Sequence, residues 1–143
     1  MKSLLKELQQ TWHQTIPVSE FMQITPTAFN RTELQVSAPL APNINLHNTM
    51  FAGSIYTLAT LTGWGMVWLQ QILAEVKGGI VLADGHIRYL APISATPIAK
   101  VTWPDVDIST LGRGRRLKVK LEVNLYCDDK LCATFTGLYT QTT

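Results

Sequence analysis

A run of twenty residues without a charged side chain, Met50 to Leu69, constrains the fold of this chain more than any other stretch. Large apolar residues within and just after this run cover nearly the whole circumference of a helix: Phe51, Ile55, Leu58, Leu61, Met66, Val67, Leu69, Ile72 and Leu73. A helix that is apolar all round is buried on all sides. We therefore predict a central helix that starts near Phe51 and runs to Ala74, with the rest of the chain wrapped around it.

The loop before this helix is rich in residues that favour turns. Two prolines interrupt any preceding strand and three asparagines follow them: Pro39, Pro42, Asn43, Asn45 and Asn48. We expect Asn48 or Thr49 to cap the helix start. Unpaired N–H groups and the positive end of the helix dipole converge there, so the first turn can stabilise an oxyanion.

One strip of the predicted helix carries residues of a different kind, spaced by three or four: Gly53, Thr57, Thr60 and Trp64. Gly53 either lets a ligand approach the backbone or lets the helix pack closely on a strand. Thr60 lies seven residues further on, about 10 Å along the helix axis. Its hydroxyl can hold a water molecule or can bond to the carbonyl of the preceding turn.

The same run is long enough to cross a membrane, so a transmembrane helix is an alternative. Four hydroxyl residues interrupt it, three glycines weaken it, and aromatic or basic residues do not bracket both ends. The flanking sequence also alternates in the manner of strands, and a half-buried sheet needs an apolar element to cover. We therefore expect a buried helix in a protein without a membrane span.

Composition favours one globular domain over residues 1–143 that buries part of its surface in an oligomer. The chain is 46% hydrophobic and carries a formal charge of +2, which does not suggest nucleic-acid binding. Charged residues make up only 15%, and the mean hydropathy is positive at +0.10. A monomer would leave too much of this surface in water, so we expect a homo-oligomer, either a dimer or a dimer of dimers.

The N-terminal segment and the cysteines indicate a cytoplasmic protein. Charged residues alternate with leucine after Met1, without the apolar run of a signal peptide. Cys127 and Cys132 flank a short turn, and in a reducing compartment they are expected to be free thiols. Cysteine and histidine do not cluster with the spacing of metal ligands, so we expect no metal site.

The remaining segments predict an amphipathic helix within residues 1–15 and six strands. The helix ends at Ile16-Pro17. The strands are expected at residues 21–28, 32–38, 80–90, 98–106, 117–126 and 131–139, with a tight turn at residues 128–130 joining the last two. This order predicts an α+β fold, in which an antiparallel sheet is wrapped around one long central helix.

The strand at residues 80–90 carries the ionisable groups that could act as a base. Its alternation predicts one face with Leu82, Asp84, His86 and Arg88. Asp84 and His86 are the best candidates, because residues two apart on a strand share a face. The alternative is an ion pair at a sheet or subunit surface. His47, in the loop before the helix, can also act as a base near neutral pH, or as a cap or a dimer contact.

Several motifs occur in order along the chain: Asn45-Leu-His-Asn-Thr-Met-Phe-Ala-Gly53, Leu61-Thr-Gly-Trp-Gly65, Tyr89-Leu-Ala-Pro92 and Gly112-Arg-Gly-Arg-Arg116. Together with the order of the elements, they resemble the hotdog fold and its thioesterase branch. The likeness is to the putative thioesterase family that also occurs fused to acetyltransferase domains. It extends over roughly residues 16–139.

This resemblance implies roles for individual residues. Asn45 falls where related acyl-CoA thioesterases have an Asn before the helix, and residues 51–53 fall where many have His-Gly-Gly. The backbone N–H of Ala52 or Gly53 would then polarise the thioester carbonyl. Thr60 falls where those enzymes often place a carboxylate that activates water. Phe51 and Thr60 thus depart from the pattern, which leaves the oxyanion site intact and requires another base.

The basic loop near residue 113 is a candidate site for the phosphates of coenzyme A, or else a solvated turn. Arg113, Arg115 and Arg116 could make bidentate contacts, and Lys118 and Lys120 extend the charge. Coenzyme A would be part of the substrate, and no separate cofactor is implied. Acyl pockets are expected at the interface between subunits.

The sequence therefore predicts hydrolysis of an acyl-CoA or acyl-carrier thioester. Water attacks the carbonyl, and the N–H groups at the helix start hold the developing charge. Asn45 with Thr60, or else His47 or Asp84, would position or deprotonate the water. One alternative is an acyl-binding or scaffold protein that has lost its base. Another is a hydratase or dehydratase, which is disfavoured because the loop carries no carboxylate.

Overall fold

The computed structural model describes residues 1–113 and 116–142. Three helices precede or interrupt a six-stranded sheet, and the elements in chain order are α1 (Lys2–Thr15), α2 (Pro17–Phe21), β1 (Thr25–Phe29), β2 (Glu33–Ser37), α3 (Ala52–Leu73), β3 (Gly79–Tyr89), β4 (Ile98–Thr102), β5 (Leu117–Cys127) and β6 (Lys130–Thr142). All neighbouring strands are antiparallel, in the order β1-β2-β4-β5-β6-β3. The predicted α+β architecture is confirmed.

The central helix, α3, is enclosed by the sheet on one side and by α1 on the other. It packs against five strands, β2 to β6, and thirteen of its 22 residues are buried. On the α1 side, a Cβ added at Gly65 would overlap the ring of the fully buried Trp12. Burial within the protein accounts for most of the absence of charge between Met50 and Leu69, while the strip at Thr57, Thr60 and Trp64 is only half-buried. Among residues 1–113 and 116–142, no helix combines the length and hydropathy needed to cross a membrane.

Two expectations are wrong, one about where the first strand begins and one about which residue caps α3. Residues 21–24 do not begin a strand, because Pro17 opens the short helix α2, a position where its missing N–H is no loss. Neither Asn48 nor Thr49 caps α3. The cap position is Phe51, which provides no side-chain hydrogen bond, and Asn48 instead adopts a left-handed conformation with φ of 62° in the preceding turn.

A β-bulge in β3 corrects the predicted faces of this strand. Pairing with β6 shifts register between Leu82 and Asp84, and the extra residue turns the following side chains over. Leu82 and Ile87 therefore both pack against the core. Asp84, His86 and Arg88 are exposed on the outer face of the sheet, away from α3.

The hairpin between β5 and β6 forms as predicted. Asp128 and Asp129 have φ values of 50° and 66°, which suit a tight turn between antiparallel strands. Cys127 and Cys132 on either side are both free and buried. Burial, together with the nearby Cys127 thiol, raises the pKa of Cys132.

Tyr139 anchors the middle of α3 to the sheet. Its hydroxyl donates a 2.7 Å hydrogen bond to the carbonyl of Thr60, and its side chain is fully buried. The close approach depends on Gly63, where an added Cβ would overlap the tyrosine ring and hydroxyl. Burial, and secondarily the nearby Tyr56, raises the pKa of Tyr139 above its ordinary value of 10.0.

We expect Tyr139→Phe to lower the free energy of unfolding by about 1 kcal/mol, because it removes a buried hydrogen bond. It should also change the alkaline behaviour. With a raised folded-state pKa, the native protein keeps a proton that the unfolded chain has lost, so this stability is intact below about pH 10 and declines above it. Urea unfolding between about pH 8 and pH 11 should show a shallower alkaline decline in the variant.

The matched control is Tyr126→Phe, which removes a phenol from the outer face of the sheet, where the ring lies 5.2 Å from Lys100 Nζ. This variant should retain the alkaline decline of the wild type. Equal slopes for Tyr139→Phe and the wild type would contradict the assigned role of Tyr139.

Candidate active site

The first turn of α3 presents two backbone donors to solvent. Ser54 and Ile55 donate their N–H groups to the carbonyl of Phe51, at 2.9 and 3.0 Å. The N–H groups of Ala52 and Gly53 have no hydrogen-bond acceptor among the described residues, and both residues are exposed. Two adjacent free donors at the positive end of a 22-residue helix suit an anionic oxygen.

Three hydrogen bonds hold this first turn in place. The Phe51 N–H donates to the carbonyl of Asn43 at 2.7 Å, and the Met50 N–H donates to the carbonyl of Ile93 at 2.8 Å. From the end of β3, the Tyr89 hydroxyl donates to the carbonyl of Ala52 at 3.1 Å. The helix start is therefore tied to the preceding loop, to the segment after β3 and to the last residue of β3.

Asn45 organises the loop before the helix. Its Oδ1 accepts hydrogen bonds from the backbone N–H groups of His47 and Thr49, at 2.8 and 3.2 Å, and from the Thr49 hydroxyl at 3.3 Å. Its Nδ2 donates to the Thr49 Oγ1 at 3.0 Å and, at 3.5 Å, to the carbonyl of Met50. With both ends of the amide engaged within the loop, Asn45 acts in this structure as a positioning residue.

Two grooves flank the free donors. The α2-side groove, of about 380 Å³, lies between α2 and α3 and is lined by Val18, Phe21, Met22, Pro42, Phe51, Gly53, Ser54 and Thr57. The β3-side groove, of about 360 Å³, lies at the end of β3 and is lined by Asn45, Thr49, Met50, Ala52, Ile55, Tyr89, Leu90, Ala91, Pro92 and Ile93. Ala52 lines one groove and Gly53 the other, so the two donors lie where the grooves meet.

The structure brings only some of the predicted site residues together. Asn45, Ala52 and Gly53 converge at the helix start. His47 is exposed in the loop and lines neither groove, and Asp84 lies on the outer face of the sheet. Thr60 lies two turns deeper, and its buried Oγ1 has no hydrogen-bond partner among the described residues.

The predicted phosphate-binding arginines lie at the other end of the sheet. Arg113 and Arg116 are exposed, and they adjoin Leu117, which pairs with Gln141 beside the Gly79 end of β3. Tyr89, at the opposite end of this strand of eleven residues, adjoins the helix start. Within one protomer the two sites are thus separated by roughly 35 Å, the length of the strand. Arg115 lies outside the described residues.

Tyr89 is a site residue to which the sequence reasoning gave no role. Its signals were its place at the end of a predicted strand and at the start of the motif Tyr89-Leu-Ala-Pro92. Burial, and secondarily the nearby Tyr56, raises the pKa of the Tyr89 phenol above 10.0. The phenol therefore remains a donor to the Ala52 carbonyl at neutral and mildly alkaline pH.

The electrostatic character of the site comes from the backbone. Apart from the Tyr89 phenol, the described residues place no ionisable side chain in either groove. The arrangement can polarise a carbonyl oxygen and can hold apolar groups on both sides of it. Its described residues include no carboxylate or imidazole that could deprotonate water.

The chain resembles known proteins over almost its whole length. It matches the protein family described as "Putative thioesterase (yiiD_Cterm)" over residues 5–143. The crystal structure of the putative thioesterase from Shewanella oneidensis is 68% identical, covers 100% of both chains and has a TM-score of 0.98. A protein with unknown function from Chlorobaculum tepidum TLS is 28% identical over 99% of this chain and 96% of that chain, with a TM-score of 0.92.

A more distant likeness bears on the fold alone. A thioesterase from Haemophilus influenzae is 16% identical over 97% of this chain and 90% of that chain, with a TM-score of 0.76. The six-stranded sheet around one long helix is the arrangement they share. The predicted hotdog fold is confirmed.

Substitutions of Asn45 should separate its acceptor role from its donor role. Asn45→Ala removes every hydrogen bond of the amide, so we expect faster hydrogen exchange at His47 and Thr49 and lower turnover. Asn45→Asp keeps the Oδ1 acceptor and should preserve much of the exchange protection. Amide exchange of the loop, measured beside turnover, tests this; unchanged protection in Asn45→Ala would contradict the positioning role.

Proposed function

Because this chain belongs to the putative thioesterase family, we propose that it hydrolyses acyl thioesters whose carbonyl oxygen is bound by the N–H groups of Ala52 and Gly53. The acyl group would be carried by coenzyme A or by an acyl-carrier protein. The observation that carries this proposal is the pair of free donors between two grooves that can accommodate the two arms of a thioester.

In the proposed reaction, water attacks the thioester carbonyl and its oxygen becomes an anion. The donors at Ala52 and Gly53 are fixed by the helix before the reaction begins, so they stabilise this charge without reorganising. The helix dipole adds to the effect. Collapse of the tetrahedral intermediate breaks the carbon–sulfur bond and releases a carboxylic acid and a thiol.

We assign a bound water molecule to the Thr60 hydroxyl. The support is its buried Oγ1, which has no protein partner among the described residues. A buried polar group without a partner is energetically costly, and a bound water molecule is the usual remedy. Thr60 lies about 10 Å along the helix axis from Gly53 and lines neither groove, so this water would support the site from behind and would not itself attack the carbonyl.

We further propose that the active unit is a dimer in the cytoplasm, formed by antiparallel pairing of two β3 strands. β3 is an edge strand of eleven residues, with Val81 60% exposed and Tyr89 50% exposed. Unpaired edges of this length readily recruit another strand. Antiparallel pairing would bring the Gly79 end of one copy to the Tyr89 end of the other. It would thereby bring Arg113 and Arg116 of a second copy towards the helix start, where they could bind the phosphates of coenzyme A.

A non-catalytic acyl-binding protein is the second candidate. It is favoured by the lack of a carboxylate or imidazole in either groove among the described residues. Such a protein would bind acyl thioesters tightly and leave them intact. The same lack of an acid and base pair speaks against a hydratase or dehydratase.

Ala52→Pro tests the oxyanion site by deleting one donor. Proline is favoured at the first position of a helix, and Phe51, with φ of −59° and ψ of 136°, has the conformation preferred before proline. The fold should persist while kcat falls by about 10²–10³. Thiol release from short-chain, medium-chain, long-chain and aromatic acyl-CoAs measures this.

Ala52→Gly is the matched control, because it keeps the N–H and removes only the methyl group. It should lose far less activity than Ala52→Pro. Undiminished turnover in a folded Ala52→Pro protein would remove the Ala52 donor from the mechanism. Tight binding of every acyl-CoA without thiol release from the wild type would favour the binding protein.

Thr60→Val tests the water site. The substitution replaces a buried hydroxyl that lacks a protein partner with a methyl group of similar shape, so the free energy of unfolding should stay the same or rise. Turnover should nevertheless fall, and Thr60→Ser should retain it. Equal kcat for Thr60→Val and the wild type would exclude a role for this hydroxyl.

A further inference from the structure

Three large apolar side chains that line the α2-side groove are exposed to solvent. Val18 is 54% exposed, Phe21 is 71% exposed and Phe51 is 55% exposed. Scattered exposed apolar residues are ordinary, but a concave cluster beside a reactive position marks a ligand site. No charged residue lines this groove.

The polar groups of this groove are few and one of the two hydroxyls is engaged. The Thr57 hydroxyl donates to the carbonyl of Gly53 at 2.9 Å, and Ser54 is almost fully buried. The β3-side groove differs, because it presents the amide of Asn45, the phenol of Tyr89 and the backbone after β3. One groove thus suits a hydrocarbon, and the other suits a chain that contains amides.

The walls of the α2-side groove are held in place by a buried asparagine. Asn43, 2% exposed, donates from Nδ2 to the carbonyl of Met22 at 2.9 Å and to that of Pro39 at 2.8 Å. The backbone carbonyl of Asn43 accepts a hydrogen bond from the N–H of Phe51. One residue therefore joins the end of α2 to the first turn of α3, so the groove is preformed and binding need not order it.

Phe51 lies at the junction of the groove and the proposed oxyanion site. Its ring is packed so closely on Gly53 that an added Cβ there would overlap it. A chain entering the groove from Gly53 would pass along this ring and then reach Phe21 and Val18 on α2.

We propose, on the basis of the thioesterase function proposed above, that the acyl chain binds in the α2-side groove, and not at the subunit interface, and that α2 sets its length. The ligand is an aliphatic acyl group longer than acetyl. The pantetheine arm, with its two amides, leaves along the β3-side groove. Val18 and Phe21 are then specificity-determining residues, and they do not contact the reacting atoms.

The test compares kcat/KM for saturated acyl-CoAs from acetyl to dodecanoyl. In the wild type, kcat/KM should rise by about fourfold per methylene until the groove is full. Val18→Trp, which adds bulk from an exposed position, should move the optimum to shorter chains. Phe21→Ala should reduce kcat/KM for long chains by a larger factor than kcat/KM for acetyl-CoA. Ile98→Ala is the matched control, because Ile98 is also an exposed apolar residue but lies on the outer face of the sheet.

Binding of S-alkyl-CoA thioethers of the same lengths, measured by calorimetry, keeps this test independent of turnover. If hydrolysis is absent but affinity rises with chain length and Val18→Trp shortens the optimum, the groove is supported and the hydrolytic function is rejected. If hydrolysis occurs with the same chain-length profile in the wild type, Val18→Trp and Phe21→Ala, the groove is rejected and the hydrolytic function stands. If the wild type, Val18→Trp and Phe21→Ala share one chain-length profile in hydrolysis and also share one in binding, the groove is rejected in either case.

Discussion

Burial of most of α3 is the constraint on which the rest of this structure depends. The sheet and α1 together cover a helix without charged side chains, and Tyr139 and Trp12 approach it closely at Gly63 and Gly65. Such a helix can expose chemistry only where its cover ends. Its first turn is that place, and the two free N–H groups there follow from the absence of a side-chain cap.

The candidate site is therefore assembled from the ends of elements that are distant in the chain. Tyr89 at the end of β3, Ile93 in the segment after it and Asn43 in the loop before α3 each form one hydrogen bond with residues 50–52 at the helix start. Asn43 also donates a hydrogen bond to the carbonyl of Met22 at the end of α2. The donors themselves belong to the backbone, so they do not titrate between acid and alkaline pH. Their geometry is set by packing, and the side chains around them decide mainly what binds and how firmly the turn is held.

Much of the fold could be predicted from local pattern. The uncharged run predicts α3 within one residue of its start, and alternation with turn residues predicts four of the six strands closely. The strand predicted at residues 98–106 ends at Thr102, and Pro104 cannot donate to a strand ladder. β1 begins later than predicted, because Pro17 opens a short helix that includes Phe21 and ends at Met22. The faces of β3 were wrong because a bulge is a property of the pairing with β6, which the sequence of one strand does not contain.

The sequence by itself determined that one apolar helix would be buried and that it would start beside Asn45 and Gly53. Hydrophobic periodicity and helix geometry are local, so they can be read along the chain. The absence of a side-chain cap, which leaves the donors of its first turn free, was decided by the tertiary structure. Only the tertiary structure decided that Tyr89 supports Ala52, that Asp84 faces away from the helix, and that α2 and Phe51 form an apolar groove. These relations join residues far apart in sequence, and they arise from strand register and packing, which no local pattern specifies.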